Sequence, residues 1–264
     1  MTWLRRNLLL IASVGVLVYM LIPNLVVAVF SFNDPVGRYN YTWESFTLDA
    51  WTNPCGAQGI CESLGLSLRI GLIASITATA LGTMIAFALG RYRFKARSGT
   101  NLLIFMPMAT PEVVMGSSLL TLFLMMGVPA GSLAITIAHI MFCISFVVVA
   151  VKARVATLDP RLEEAAADLG ANPVQTFLRV TFPLAFPGIL AGALLAFSLS
   201  FDDYIITNFN ASPSSITFPM YVWGAAQRGA PVQVNVIGTL MFLIALGVVV
   251  VGQVLATRRE RARA

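Results

Sequence analysis

Three carboxylates stand inside long apolar runs of this chain, and they are the residues best placed to do chemistry. Glu112 follows Pro107 and Pro111, while Asp202 and Asp203 stand together toward the end of a later run. Counted along a helix rising 1.5 Å per residue, Glu112 lies about 16 Å into its run, near the middle of a bilayer. An ionised carboxylate at such depth costs at least about 2.5 kcal/mol, so it must face a partner helix or a water-filled cavity. Phe201 and Tyr204 flank the aspartates, and Tyr221 and Trp223 follow. Carboxylates beside aromatic rings suit a cation with alkyl segments, such as a polyamine, whose ammonium groups take charge and ring faces while its methylenes take apolar wall. Glu112, Asp202, Asp203, Phe201 and Tyr204 are therefore the expected substrate pathway. The alternative makes Asp202 or Asp203 a hydrogen-bonding cap at a helix end.

Other constellations carry less. His139 and Cys143 share a helical face at i, i+4, the spacing of two metal ligands or of a base and its nucleophile. His139 is the single histidine of the chain, and no carboxylate accompanies it at helical spacing in its own run. It reads as a packed, hydrogen-bonded core residue, with neither a catalytic residue nor a metal site assigned. Cys55 and Cys61 lie in one polar loop and form a possible disulfide if that loop is outside the cytoplasm.

The elements that must hold these residues follow from composition. The chain is 58% hydrophobic and only 11% charged, with mean hydropathy +0.82, against about 25% charged for a soluble domain. Runs long enough to cross about 30 Å of hydrocarbon fall at 8–30, 64–90, 101–126, 132–152, 184–206 and 233–256. Backbone groups in lipid must bond within their own segment, so each run is a helix. The expected fold is an all-α integral membrane protein of six transmembrane helices, residues 1–264 forming a single transmembrane domain.

Charge orients it. With the N-terminus in the cytoplasm, fourteen of the seventeen basic residues fall on the inner side; the exceptions are Arg38, Arg69 and Arg228. Both termini are therefore expected in the cytoplasm. The isoelectric point near 9.4 then reflects short basic flanks to membrane spans and not a nucleic-acid partner. The first run, with Arg5 and Arg6 before it, reads as an uncleaved anchor, because it is long and lacks a clear small-residue cleavage site.

Against this basic inner face, residues 159–183 are anomalous. Asp159, Pro160 and Gly170 punctuate one short helix as cap, first position and left-handed terminator. Asn172, Pro173 and Gln175 open a second one, which Pro183 is expected to stop. Leu162, Ala165, Ala166 and Leu169 recur at i, i+3, i+4 and i+7, with Arg161, Glu164 and Asp168 on another face. A helix lying on an anionic leaflet should be basic, whereas this one carries Glu163, Glu164 and Asp168. It is built to dock on a protein.

The run Glu164-Ala165-Ala166, then Gly170, then Val180, Phe182 and Pro183 at this spacing resembles the EAA loop of binding-protein-dependent ABC importers of type I. More narrowly, residues 89–94, 106–115, 138–147 and 199–204 are similar to the second permease of spermidine/putrescine importers. The resemblance implies the type I importer permease fold in a bacterial cytoplasmic (inner) membrane, with 159–183 as the cytoplasmic coupling loop. Glu164, Ala165, Ala166, Asp168, Leu169 and Gly170 would then meet an ATPase. It also implies a second permease subunit, a different chain, together with two ATP-binding cassette subunits, an extracytoplasmic solute-binding protein and surrounding lipid. Glu112 has an alternative role as partner to a basic residue of that sister subunit.

No G-x-x-x-x-G-K-[ST] run occurs, and Lys95 and Lys152 are each followed by alanine. The chain is thus expected to be no enzyme and to bind no cofactor, with ATP and Mg held by partner subunits. Permeases for ferric ion, phosphonate or another organic cation share the framework and stand as alternative solutes. A secondary carrier is the competing class; it would show an internal repeat, and none is found.

Overall fold

The computed structural model of the protein describes residues 2–92 and 94–261, with side chains for 7–92 and 94–254. The basic side chains of Arg5, Arg6, Arg93, Arg258, Arg259, Arg261 and Arg263, part of the inner-side charge, lie outside that set. Among the described residues the regular structure is entirely helical. First come α1 (Thr2–Phe30), the single turn α2 (Asp49–Thr52) and α3 (Ile60–Arg91). They are followed by α4 (Arg97–Ala109), α5 (Glu112–Met125), α6 (Ser132–Ala156) and α7 (Arg161–Asp168). The chain continues through α8 (Pro173–Thr176), a π turn (Phe177–Thr181), α9 (Phe182–Asp202) and α10 (Ile205–Asn210). It closes with α11 (Phe218–Arg228) and α12 (Val232–Arg261).

Among the described residues five helices are long and apolar enough to cross a membrane, and α4 with α5 makes a sixth crossing if that pair is counted as one. The span expected at 101–126 is not straight. α4 and α5 meet at 108°. Pro111 has no amide to donate and drives the residue before it out of the helical region, and Thr110 is extended at φ −82°, ψ 130°. Glu112 is therefore the first residue of α5, just past a corner, and the straight-helix estimate of its depth does not apply.

Nor does Pro183 act as the expected stop. The helix that starts at the Asn172 cap does not stop there; Pro173–Asp202 is one apolar stretch. The π turn lets Phe182 donate to the carbonyl of Phe177, a wider ladder that takes up the missing amide just before the proline.

The chain forms two compact units, one of residues 62–220 and one of the flanking residues on either side. In the central unit α6 and α9 run antiparallel. Along their seam the backbone and side chains of Arg154, Val147 and Ala150, Cys143 and His139 meet Gly188, Gly192, Ala196 and Ser200 in that order. A Cβ on Gly188 would lie 2.4 Å from the Cβ of Arg154, so only glycine allows this approach. Gly82 and Gly90 of α3 abut Val147 and Val155, which sets α3 parallel to α6. Arg91, at the end of α3, thereby lies at the end of the bundle where α6 gives way to α7. The core among these helices is aliphatic, with Leu89, Val147, Val148, Val151, Val155 and Ile206 almost wholly buried.

In the flanking unit α1 and α12 pack together, and none of the apolar run of α1 is buried. The loop after α1 is ordered by side-chain amides: Asn33 donates to Asn40 Oδ1 (2.6 Å) and to the Thr42 carbonyl (2.8 Å), and Asn40 donates to the Phe30 carbonyl (2.8 Å). Phe32 stacks between Phe46 and Trp51. Cys55 and Cys61 are joined as a disulfide, with Cα atoms 5.4 Å apart.

Candidate functional site

The loop between α6 and α9 is punctuated much as its residue types require. Asp159 Oδ1 accepts the Arg161 amide at 3.0 Å, and α7 starts one residue later than a direct Asp159 cap implies. Gly170 takes φ +84°, and its amide and that of Ala171 return to the carbonyls of Ala167 and Ala166. This pair of bonds is the left-handed closure that favours glycine. Asn172 and Gln175 exchange reciprocal bonds of 3.0 and 2.9 Å between side chain and amide, completing a capping box.

α7 contains no buried residue. Glu164, Ala165 and Asp168 are exposed and Ala166 is half-buried. Leu169 is 89% exposed and Leu162 46%, so the apolar stripe is only partly covered within this chain. What holds α7 is Glu163: its Oε1 lies 3.0 Å from Arg91 Nη2 and accepts the Thr181 hydroxyl at 3.0 Å. No local spacing signals this contact, since Arg91 and Thr181 stand on other elements.

The three carboxylates separate into different environments. Gly116 of α5 sits against Ile206 and Phe209 of α10, and Asn210 Nδ2 reaches the Gly116 carbonyl at 3.4 Å, which joins the segments that bear them. Glu112 and Asp202 are exposed. Phe201 stacks on Phe197 at 5.9 Å and tilts onto Phe218 at 6.4 Å; Tyr204 is half-buried. Tyr221 and Trp223 belong to the flanking unit.

Asp203 is buried. Its Oδ1 accepts the Thr207 amide (2.8 Å) and hydroxyl (3.0 Å) at the start of α10 and lies 3.3 Å from His139 Nε2. The other ring nitrogen of His139 is 2.8 Å from Ser200 Oγ. The carboxylate that α6 does not supply to His139 thus comes from the α9–α10 junction. Serine, imidazole and carboxylate in line is the arrangement of acyl-transfer sites. Here the side chains of His139 and Asp203 are only 1% and 4% exposed, shut within the helix packing. The cluster acts as a latch between α6 and α9, each polar group satisfying another in an apolar bundle.

Long apolar helices closed by a satisfied polar latch, with a largely exposed amphipathic helix at one end, suit a membrane transport subunit. The chain belongs to the family of binding-protein-dependent transport system inner membrane components, whose model matches residues 78–261. It is 32% identical over 243 residues to the spermidine/putrescine transport system permease protein PotC of Escherichia coli (strain K12), covering 92% of this chain and 91% of that protein. To the putrescine transport system permease protein PotI of the same strain it is 36% identical over 249 residues, covering 91% and 88%. In fold it is similar to a chain of a bacterial ABC transporter involved in the import of the acidic polysaccharide alginate. The TM-score there is 0.66, with 96% of each chain covered and 17% identity. The same transporter type has been seen with an alginate pentasaccharide-bound periplasmic protein, at TM-score 0.67 over 94% of each chain and 13% identity.

Proposed function

We propose that this chain is one permease subunit of an ATP-driven importer for polyamines, with spermidine and putrescine as the first candidates. It lies in the bacterial inner membrane as six crossings with both ends in the cytoplasm. It works with a second, different permease chain, two ATP-binding cassette subunits that hold ATP and Mg, and an extracytoplasmic solute-binding protein. The observation that carries this reading is continuity: the helical stretch Pro173–Asp202 begins in the loop with the uncovered apolar stripe and ends at the exposed carboxylate of Asp202. Its length is about 45 Å, more than the hydrocarbon thickness.

Closure of the two ATPases moves the docked α7, with Leu162 and Leu169 seated in a groove of the ATPase and Glu164 paired to a base there. Gly170 keeps the turn tight, and the movement enters α9 through the capped start at Asn172. At the far end Asp202, with Phe201 beside it, and Glu112, at the corner between α4 and α5, offer charge and ring surface to ammonium groups. The likeness to the two polyamine permeases over nearly the whole chain supports the solute class.

The deciding experiment is uptake of labelled spermidine and putrescine by proteoliposomes containing this chain with its partner subunits and binding protein. ATP-dependent uptake blocked by excess unlabelled polyamine is the expected result. Uptake of ferric ion or phosphonate with no polyamine competition would replace the solute, and uptake without any ATPase would replace the class.

A further inference from the structure

We infer that Glu163 is the positioning residue of the coupling segment: it ties α7 to the end of α3 through Arg91 and to the π turn through Thr181, so that α3 moves with the loop although α4, α5 and α6 separate them along the chain. This rests on the importer reading above.

α7 has no buried residue and hence no apolar anchor on its own chain. Chain connectivity links it to α6 and α9, and it rests on α8 and the π turn of its own loop. Glu163 adds the third connection: one carboxylate oxygen lies within 3.0 Å of both Arg91 Nη2 and Thr181 Oγ1. The pair is partly shielded, at 19% exposure for Arg91 and 33% for Glu163, and therefore less screened than a surface pair. Arg91 closes a helix whose Gly82 and Gly90 already pack on α6, so a pull at Arg91 is transmitted along a close-packed seam. Thr181, itself buried, is the last residue of the π turn, where the ladder is widest and a side-chain tie fixes which way the helix leaves the loop. Glu164, one position on, is exposed and points the acidic face outward; the two adjacent glutamates thus divide the work between holding α7 and meeting the partner.

The test uses the complete importer in nanodiscs, with spin labels at Tyr92→Cys and Ala167→Cys to report the distance from the end of α3 to α7. With Glu163 intact, that distance is expected to stay the same between the nucleotide-free and ATP-trapped states. Glu163→Gln, which keeps an acceptor for Thr181 but removes the charge facing Arg91, is expected to make the distance shift on trapping. It should also lower solute uptake per ATP hydrolysed about fivefold, the scale of one partly shielded ion pair. The exchange Glu163→Arg with Arg91→Glu should restore most of that ratio. An unchanged distance and ratio in Glu163→Gln, or an exchange variant no better than either single change, would overturn the inference. Failure of the importer reading looks different: no ATP-binding cassette subunit would co-purify with the unaltered chain.

Discussion

Nε2 of His139, about two turns into α6, lies 3.3 Å from Oδ1 of Asp203, just past the end of α9. The two helices are thereby latched where an apolar seam gives way to a break in the backbone. Burying a carboxylate is costly, and here an imidazole, a backbone amide and a hydroxyl offset the cost. Removing one partner leaves the other charge or dipole uncompensated. His139→Leu and Asp203→Leu should each destabilise the purified importer by about 3 kcal/mol, and the double variant by less than the sum. Thermal unfolding in detergent measures this, and strictly additive losses would rule out the latch.

The two adjacent aspartates should respond differently to the same change. Asp202→Asn is expected to leave the folded complex at its usual yield and to raise the KM for polyamine uptake about tenfold, the loss of one charge-assisted contact. Asp203→Asn should instead reduce the yield of folded complex. If Asp203→Asn folds normally and shifts KM as much as Asp202→Asn, Asp203 belongs to the pathway after all. Glu112→Gln should behave like Asp202→Asn.

Glycines at two positions separate coupling from packing. Gly170 has open space around it but φ +84°, so Gly170→Val strains the turn by about 1–2 kcal/mol and should lower ATPase stimulation while leaving assembly of the permease intact. Gly188→Val meets Arg154 at once and should abolish assembly, read as loss of the monodisperse peak in size-exclusion chromatography.

The uncovered stripe of α7 predicts a surface effect with no folding cost. Leu169→Asp should leave the melting temperature of the permease within about one degree, since exposed positions contribute little to stability. Co-purification of the ATP-binding cassette subunit should fall sharply. Retained co-purification would mean that Leu169 lies off the interface.

The bridge between Cys55 and Cys61 should protect both thiols from alkylation until reductant is added, with buried Cys143 staying unlabelled under native conditions. Closing so short a loop is worth about 2 kcal/mol, so Cys55→Ser should lower stability modestly without stopping transport.

The helical class, most of the long apolar elements and the loop at 159–183 are legible in the residues alone. These depend on run length, capping residues and a glycine terminator, all written within a few positions of one another: Asp159, Gly170, Asn172 and Gln175 act as their local chemistry requires. Tertiary structure decided what local pattern does not contain. Pro111 broke an apolar run into two helices at a corner, whereas Pro183 was absorbed by a π turn, and the difference lies in whether the surrounding chain could widen its ladder or had to bend. Asp202 and Asp203 are alike in sequence, but the break after α9 turns one outward and delivers the other to His139 on α6. Glu163 and Glu164 divide in the same way, because only one of them faces the end of α3, where Arg91 stands. A side chain's type and spacing fix what it is able to do; which neighbour it meets is set by the packing of distant helices, and that packing is closed here by glycines at the α6–α9 seam.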